Sequence, residues 1–470
     1  LHVARFYGIE TGGIRPISPI EVPAFWRDRR EELVRFSEAK TSLIHELSLR
    51  LLPFLIQFSA VIGLPLDQVV AAAVGFRVER NLMKYAYQEN ELIPKRERRA
   101  YAPYKGALVS GPEQGLHANI AVMDFSSMYP SLMIKYNVSP DTYVPPGAPV
   151  PEDGVHTIPE VGHRFLRSPD GFYRKVLTRL IEVRRAIRDR MGEYPPTSPV
   201  RKLLDHRQKV VKVVTNATYG YAGWIGARWY VRQVAEATTA LGREAIRRAM
   251  SIAEDAGLRV LYADTDGLMV AYEPDKIREF TRRIEEEVGL RIKPDKIYDC
   301  VLFTRAKKKY AGLEPDGSLD IVGFESVRGD WAQVARDAQR EAIEILLKEG
   351  SVEKVRSRLE RVIRKVRGGE VPFERFIIWK TLTKPIEKYK ARTPHGFAAK
   401  RLFEVGGKLE AGDKIGFVVV KGHGALYKRA VPYALASYDD IDFDYYVTKQ
   451  IVPLVERCLE PFEEARRLAP

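Results

Sequence analysis

The stretch that decides the fold is LRVLYADTDGLMVAY, residues 258–272. Two short apolar runs flank an Asp-Thr-Asp-Gly turn, a pattern that predicts a β-hairpin. The acids Asp264 and Asp266 would then lie at the tip of the hairpin. Acids at the ends of other predicted strands therefore become candidates for the same place in the fold.

A second acidic segment, residues 119–131, reads NIAVMDFSSMYPS and predicts a buried strand that ends at Asp124. If Asp124, Asp264 and Asp266 are brought together, their carboxylates repel one another and titrate abnormally unless divalent cations neutralise them. Carboxylate oxygens suit hard cations, and two such ions form the clamp used for in-line displacement at phosphorus. The two segments together therefore predict a two-metal site.

A third segment, residues 205–220, reads DHRQKVVKVVTNATYG and predicts a helix with two different faces. The polar face offers a cation for phosphate, two amides and an aromatic ring, on Lys212, Gln208, Asn216 and Tyr219. The opposite face is apolar and carries Val210, Val213, Val214 and Ala217.

In this order the three segments resemble motifs A, B and C of family B DNA polymerases. Residues 124–131 match the pattern D-x-x-S-L-Y-P-S, residues 212–220 match K-x-x-x-N-S-x-Y-G, and residues 262–266 match the start of Y-G-D-T-D-S. Ala217 stands where the second pattern usually has Ser. The resemblance extends over nearly the whole chain, and its archaeal branch is the most similar.

The resemblance implies an α+β multidomain fold, the right-hand polymerase with palm, fingers and thumb, preceded by a remnant of an exonuclease domain. The implied domains are the exonuclease-like end with connecting helices (1–90), the palm (91–170 and 222–325), the fingers (171–221) and the thumb (326–470).

The resemblance also implies roles for the acids. Asp124, Asp264 and Asp266 would be catalytic and would hold two Mg²⁺ ions, with Mn²⁺ as a possible substitute. The carbonyl group of Phe125 would complete the metal-ligand shell. The expected activity is template-directed addition of dNTPs to a primer 3′ end.

Several residues would bind the incoming nucleotide. Arg184 and Arg188 lie one turn apart on a predicted basic helix, about residues 172–191, so both can reach one polyphosphate. Tyr129 would lie beneath the sugar and clash with a 2′-hydroxyl group. The other implied nucleotide-binding residues are Ser127, Met128, Lys212, Asn216, Tyr219 and Thr265.

Three further segments resemble DNA-binding elements of the family. Residues 104–107 resemble the Y-x-G-G/A segment, which holds the template, and residues 307–310 resemble the K-K-R-Y element, which grips the primer-template duplex. Residues 383–389 look like a thumb segment that contacts duplex DNA. The DNA-binding residues implied are Tyr104, Gly106, Lys307, Lys308, Lys309, Tyr310, Lys384 and Tyr389.

The front of the chain departs from the family pattern. Aligning its helix puts residues 36–40, Phe-Ser-Glu-Ala-Lys, on the exonuclease motif Tyr-x-x-x-Asp, so that Lys40 replaces a metal-binding acid. A protonated lysine repels a cation, and we expect no proofreading. Either the chain is a fragment without the exonuclease front, or it belongs to a branch whose exonuclease is degenerate.

Composition agrees with a nucleic-acid partner. The chain of 470 residues has a net charge of +14, which favours a polyanion, and its length predicts two to four subdomains. Cys300 and Cys458 form no metal-ligand spacing. We expect primer-template DNA and dNTPs as partners, with a sliding clamp or accessory subunits as further ones. No apolar run looks long enough to cross a membrane, and the expected location is the cytoplasm, at the nucleoid.

The coarse pattern of secondary structure agrees with this order of domains. We expect helices up to about residue 95, with an amphipathic stretch interrupted at Pro53, and strands over about 104–125. A long helix over about 232–256 and further helices over about 327–367 should follow, and residues 415–420 read as a strand.

Three alternatives stay open. A polymerase-shaped DNA-binding or scaffold protein with weak catalysis would show a broken acid in the first or third motif. A metal nuclease would not need the pocket of Tyr129, Lys212, Asn216 and Tyr219. A reverse transcriptase would show Tyr-x-Asp-Asp in place of Tyr-x-Asp-Thr-Asp.

Overall fold

The computed structural model describes residues 2–12, 17, 21–150 and 154–468. Its helices are α1 His2–Phe6, α2 Val22–Asp28, α3 Arg30–Ile62, α4 Leu66–Ala71, α5 Val74–Gln88, α6 Met128–Lys135, α7 Phe172–Gly192, α8 Pro199–Ala222, α9 Arg232–Asp255, α10 Pro274–Arg283, α11 Gln333–Glu349, α12 Val352–Arg367, α13 Pro394–Glu404, α14 Leu426–Arg429, α15 Phe443–Tyr445 and α16 Val452–Leu468. Its strands are β1 Gly115–Phe125, β2 Tyr143–Val144, β3 Val155–Thr157, β4 Arg164–Leu166, β5 Val260–Asp264, β6 Gly267–Ala271, β7 Ile292–Phe303, β8 Tyr310–Leu313, β9 Leu319–Val322, β10 Ile378–Thr381, β11 Lys414–Val419 and β12 Ala430–Pro432.

An antiparallel sheet of six strands, in the order β5-β6-β1-β7-β8-β9, carries the acidic segments. The predicted hairpin is the β5–β6 pair, and the predicted strand through Asp124 is β1, so both predictions are confirmed. Strand β1 pairs with β6 so that Asp124 lies opposite Gly267. A Cβ atom on Gly267 would lie 2.9 Å from the Met123 carbonyl oxygen, so this close approach of the two strands requires glycine.

Helices α7 and α8 form a hairpin beside this sheet, and both were predicted from the sequence. Pro199 begins α8, and the preceding Ser198 caps it by accepting a hydrogen bond from the amide of Val200. Val213, expected on the apolar face of α8, is 39% exposed, and Val183 of α7 is 37% exposed. Val183 lies in the outer half of the hairpin, where residues 181–209 contain no buried side chain. Val213 lies at the edge of the buried face of α8.

Helix α3 runs without a break through Pro53, which corrects the predicted interruption. Proline removes one helical hydrogen-bond donor, and the carbonyl group left over belongs to Leu49. The residue Leu49 is 55% exposed, so water can satisfy that carbonyl. The helix continues because its other side packs on α8, where Phe54 meets Phe58 and His206 edge to face.

One helix among the described residues is long and apolar enough to cross a membrane, which corrects the expectation that none is. It is α3, in which a window of 18 residues reaches a mean hydropathy of 1.2, and 6% of that window is buried in the protein. Length and composition are the whole of this finding, and helices of soluble proteins and signal sequences pass the same test.

The strand expected from residue 104 begins only at Gly115. Residues 104–114 are extended but form a single bridge, between Val109 and Asp264. The amide of Ser110 donates to the Ala263 carbonyl over 2.9 Å, and the amide of Thr265 donates to the Leu108 carbonyl over 2.9 Å. A longer ladder is prevented by the Gly111-Pro112 pair, because proline cannot donate to a strand partner.

The chain has two large apolar cores. The first joins the N-terminal helices to β1 and α6–α9. The second is built by α11–α13, the three-stranded sheet β10-β11-β12 and α16, and includes the buried thiol of Cys458. The predicted strand at 415–420 is β11, and the predicted long helix is α9.

Candidate active site

The β5–β6 turn brings Asp124 and Asp266 side by side. Thr265, between the two acids of the turn, adopts a left-handed backbone with φ of 61°. The turn is closed by the Asp266 amide, which donates to the Asp264 carbonyl over 2.7 Å, and the Phe125 amide donates to the Asp266 carbonyl over 2.9 Å. The end of β1 is thereby joined to the hairpin tip, as the sequence predicts.

The positive charge near the pair of acids does not offset their burial and mutual repulsion. Burial, followed by the repulsion from Asp266 and Asp295, raises the pKa of Asp124 to about 6, although Lys212 and Lys293 oppose this. Burial is also the main reason why the pKa of Asp266 is raised. Burial and repulsion thus disfavour the ionised forms of both carboxylates. Divalent cations would stabilise those ionised forms.

The third acid, Asp264, forms an ion pair with Lys308. The Lys308 ammonium group lies 2.6 Å from Asp264 Oδ1, and the hydroxyl group of Thr265 donates to the same oxygen over 2.8 Å. The Tyr262 hydroxyl donates to Asp264 Oδ2 over 3.3 Å and accepts from the Lys308 amide over 2.9 Å. Within the described residues, no three His, Cys, Asp or Glu side chains converge as a ligand set for a metal.

All three predicted acids line one cleft, and in this structure Asp264 is also paired with Lys308, so its role as a metal ligand stays a prediction. Sequence reasoning assigned Lys308 to DNA and missed that it also faces an acid of the turn. The signal lies in the backbone, where Lys308 has φ of 61° and Tyr262 receives its amide. A pattern of residue types does not show that conformation.

The polar face of α8 points its cation toward the acids. Lys212 and Asn216 are exposed and Tyr219 is half-buried, which confirms the predicted polar face. Lys212 lowers the pKa of both Asp124 and Asp266, so its ammonium group is electrostatically coupled to the pair.

Arg184 and Arg188 extend this positive charge along α7. Arg184 Nε donates to the side chain of Gln208 on α8 over 3.1 Å. Burial and the neighbouring Arg188 lower the pKa of Arg184, as expected for two cations of one turn facing the same space. An anionic ligand between them would relieve that repulsion.

Tyr129 lies in the first turn of α6, at the wall of the site. Its ring stacks on that of Tyr219, with centroids 4.3 Å apart and planes inclined by 17°. Burial, followed by the charge of Asp266, raises the pKa of Tyr129 to about 12, so its hydroxyl stays protonated. The neighbouring Met128 is buried, and Ser127 begins the helix with φ of 54°.

The predicted DNA-binding lysines of residues 307–309 have three different partners. Lys307 Nζ donates to the Val109 carbonyl over 2.6 Å, and Lys308 faces Asp264. Lys309 is paired with the buried Glu325 over 2.7 Å, so its charge is used inside the protein. Tyr310 is half-buried and lies against the ring of Tyr262. Lys307 and Lys308 remain exposed and available to DNA.

Residues 104–106 are held by an arginine that sequence reasoning missed. Arg243 of α9 is buried and donates to the carbonyl groups of Lys105 and Gly106 over 2.8 and 2.6 Å. Glu160 pairs with Arg243 over 2.9 Å. Tyr104 lies at the start of this loop and is half-buried.

The two predicted contacts in residues 383–389 differ. Lys384 is exposed, with its ammonium group 4.9 Å from the centre of the Tyr389 ring. Tyr389 is buried, and its hydroxyl accepts a hydrogen bond from the Thr383 amide over 3.0 Å. Tyr389 thus packs inside the segment in this structure, and DNA contacts by Lys384 and Tyr389 stay a prediction.

A cleft of about 360 Å³ opens over the acids, and it is lined by Asp124, Asp264, Asp266, Lys308 and Tyr310 together with neighbouring strand residues. It has acids on its floor, cations at its rim and a buried tyrosine nearby. This arrangement can hold a polyanion whose reacting end meets metal-binding carboxylates.

Two archaeal DNA polymerases are similar in sequence to this chain over nearly its whole length. DNA polymerase 2 of Aeropyrum pernix is 49% identical over 463 residues, which cover 98% of this chain and 58% of that protein. A DNA polymerase of Archaeoglobus fulgidus is 39% identical over 481 residues, which cover 98% of this chain and 60% of that protein. The chain thus spans about three-fifths of the length of these relatives.

A solved structure agrees as well. The family B DNA polymerase from the hyperthermophilic archaeon Pyrobaculum calidifontis superposes with a TM-score of 0.80 at 44% identity, over 97% of this chain and 60% of that one. The model of DNA polymerase family B matches residues 64–462. On the strength of that match, together with the acidic pair and the helix that faces it, the chain belongs to DNA polymerase family B.

Proposed function

We propose that this chain adds dNTPs to the 3′ end of a primer in the order that a template strand dictates. The observation that carries the proposal is that Asp124, at the end of β1, and Asp266, at the tip of the β5–β6 turn, line one cleft. Lys212 of α8 opposes the rise in the pKa of both acids. A triphosphate bound by that lysine would have its reacting phosphate over the acids. Membership in the family supports the same reaction.

The donor set fits two divalent cations, and Mg²⁺ is the ion we propose, with Mn²⁺ as a substitute. Asp124 and Asp266 would hold them together with the Phe125 carbonyl group, and Asp264 would join once Lys308 moves to another anion. Bound cations would supply charge for the triphosphate and lower the pKa of the primer hydroxyl group.

The remaining nucleotide contacts come from the helical hairpin and from α6. Arg184, Arg188 and Lys212 would neutralise the triphosphate, and Asn216 and Tyr219 would line the base-pair pocket. Ser127 and Met128 lie at the start of α6, where helix amides without intrahelical partners can donate to phosphate oxygens. Thr265 would contribute from the hairpin turn.

Tyr129 would select the sugar, since its ring is buried beside the acids and cannot yield to a 2′-hydroxyl group. Tyr104, Gly106, Lys307, Lys308 and Lys384 would contact primer-template DNA. In the family scheme, the sheet with Asp124 is the palm, the α7–α8 hairpin the fingers, and the second core the thumb. A sliding clamp, accessory subunits and a nucleoid location remain part of this proposal.

We also propose that the chain does not proofread. Lys40 is exposed on α3, at the position aligned with a metal-binding acid of the exonuclease motif. A cation there would meet a positive charge in place of a ligand.

Primer extension tests the proposal. Asp124→Ala and Asp266→Ala should each lower the extension rate about 10³-fold or more, because metal ligation contributes several kcal/mol at the transition state. Binding of a labelled primer-template should stay within about threefold, since the phosphate-contacting cations remain.

The matched control is Asp275→Ala, which removes an exposed acid of α10 that pairs only locally with Arg278. It should extend primers like the unaltered chain. Extension by both site variants within tenfold of the unaltered chain would contradict the assignment. An unaltered chain that binds DNA without extending it would favour the scaffold alternative.

A further inference from the structure

A row of three tyrosines from three separate segments lies beside the acids, with Tyr129 near enough to Asp266 for that charge to raise the pKa of the tyrosine. Tyr129 of α6 stacks on Tyr219 of α8, and the hydroxyl of Tyr219 is hydrogen-bonded to that of Tyr104. The pKa of Tyr219 is raised, with burial as the main cause, which agrees with its position between Tyr129 and Tyr104.

Each end of this row meets a glycine. At the Tyr129 end, a Cβ atom on Gly242 of α9 would lie 2.7 Å from ring atom Cε1 and 3.4 Å from Cζ, and 3.2 Å from the flexible end of Met128. At the Tyr104 end, a Cβ atom on Gly223 would collide with the tyrosine hydroxyl group. The three rings are therefore closely packed along the row, because the backbone of a glycine lies against each end.

We infer that Gly242 is a specificity-determining position: its missing side chain lets the Tyr129 ring withdraw to the depth at which a deoxyribose, and not a ribose, fits in front of it. The inference rests on the proposed function, since it concerns the sugar of the incoming nucleotide. Gly242 touches no substrate in this proposal and acts only through Tyr129.

The helix itself gives no other reason for glycine at this position. Gly242 lies in the middle of α9, where glycine costs helix stability relative to alanine. Its neighbours Leu241 and Arg243 are buried, so the helix surface around it is closely packed. A side chain here would meet the Tyr129 ring first, at 2.7 Å, and then the flexible end of Met128, at 3.2 Å.

The variant Gly242→Ala tests the inference. A methyl group at 2.7 Å must displace the ring by roughly an ångström to reach ordinary contact. Because Tyr219 blocks one side, the ring should move into the cleft and narrow the space for the sugar. We expect the KM for dNTP to rise about tenfold or more, with rejection of rNTP at least as strong as before.

The matched control is Gly192→Ala, another helical glycine, whose added methyl group would meet no atom within 4 Å. It should leave the KM unchanged. The decisive comparison is Gly242→Ala in the Y129A background, where the ring is gone and the nearest remaining neighbour of the methyl group is the flexible end of Met128, 3.2 Å away. There the change in KM should fall to twofold or less.

Urea unfolding of the unaltered chain, Gly242→Ala, Y129A and the double variant provides a readout that needs no activity. Gly242→Ala should lower the unfolding midpoint when Tyr129 is present and should not lower it in the Y129A background. Equal effects of Gly242→Ala in both backgrounds, on KM or on unfolding, would overturn the inference. If the unaltered chain extends no primer, the proposed function and the sugar role fail together, and the unfolding comparison still decides whether Gly242 seats the ring.

Discussion

Asp124 is the residue in which burial and chemistry oppose each other most directly. Its carboxyl group is half-buried beside Asp266, and its pKa is raised to about 6. An ordinary unfolded Asp ionises with a pKa near 3.8. The folded chain therefore holds a proton on Asp124 more readily than the unfolded chain does, and this contribution to stability is lost as the pH rises toward 6.

This sign leads to a test on the metal-free chain. In EDTA at pH 8, Asp124→Asn should raise the thermal unfolding midpoint, because an ionised carboxylate beside Asp266 is replaced by a neutral amide. The advantage should shrink between about pH 6 and pH 4, as Asp124 takes up its proton in the unaltered chain. Excess Mg²⁺ should reverse the order at pH 8, because the variant loses a ligand. If the unfolding midpoint of Asp124→Asn exceeded that of the unaltered chain by the same amount at pH 4 and at pH 8, the raised pKa would be contradicted.

Tyr129 gives a second test at the scale of one residue. Tyr129→Ala should admit ribonucleotides, because the ring that would clash with a 2′-hydroxyl group is removed. The ratio of kcat/KM for dNTP over rNTP should fall about tenfold or more, since a lost steric clash is worth at least one or two kcal/mol. Single-nucleotide incorporation measures this ratio, and unchanged discrimination would rule out the role of Tyr129.

Individual site residues were predictable where the sequence carries a local signal. The acids of the hairpin, Tyr129 and Lys212 stand in patterns whose secondary structure follows from their own neighbours. The pairing of Asp264 with Lys308 was not predictable, because it depends on a left-handed backbone at Lys308 and on the hydroxyl of Tyr262. The same holds for Gly242, whose partner lies on another helix.

At the scale of elements, Glu325 joins three parts of the fold. This buried carboxylate accepts from Lys309 over 2.7 Å and from Gln339 of α11 over 2.9 Å, and it is also paired with Arg457 of α16. Burial alone would raise the pKa of Glu325, but the hydrogen bonds from Gln339 and Lys309 outweigh it and lower the pKa to about 2. Glu325 thereby fastens the second core to the loop that carries Lys308.

Removing this charge should loosen the attachment. Glu325→Gln leaves two cations without their anion and should cost about 2 kcal/mol in urea unfolding at pH 7, less than a fully buried pair because water reaches Arg457. The stability of the unaltered chain that depends on this carboxylate is present above about pH 4.5 and lost as the pH falls toward 2, a step that the variant should lack. The control is Glu344→Gln, which breaks an exposed pair with Lys348. Equal costs for both variants would contradict the role of Glu325.

Elements were predictable to the extent that local sequence decides them. Helices α7 and α8 and the β5–β6 hairpin follow from periodicity and turn residues. Pro53 and residues 104–114 could not be predicted in the same way. The first lies in a helix held by packing on α8, and the second lies beside β5 yet forms only one bridge. In both cases contacts with distant residues decide the conformation.

At the scale of the whole molecule, the net charge and the length of the chain bear on what it does with DNA. A charge of +14 favours binding of a polyanion, and the affinity for primer-template should fall steeply with salt. Because this positive charge favours DNA binding, the chain should bind primers whether or not it can shorten them. A lack of primer shortening would then reflect a lack of nuclease chemistry and not a lack of binding.

The last prediction is that this chain extends primers and does not proofread them. Its basis is Lys40, exposed on α3 at the position that we predict to align with a metal-binding acid of the family's exonuclease motif. Hydrolysis by two metal ions needs several convergent carboxylates, and a lysine at one ligand position opposes cation binding. With Mg²⁺, a 5′-labelled primer with a mismatched 3′ end and no dNTPs, the primer length should stay unchanged over the time in which a matched primer is fully extended. The Asp266→Ala variant separates the two chemistries, because it disables the polymerase acids alone. Stepwise shortening from the 3′ end that persists in this variant would demonstrate a working exonuclease and refute the prediction.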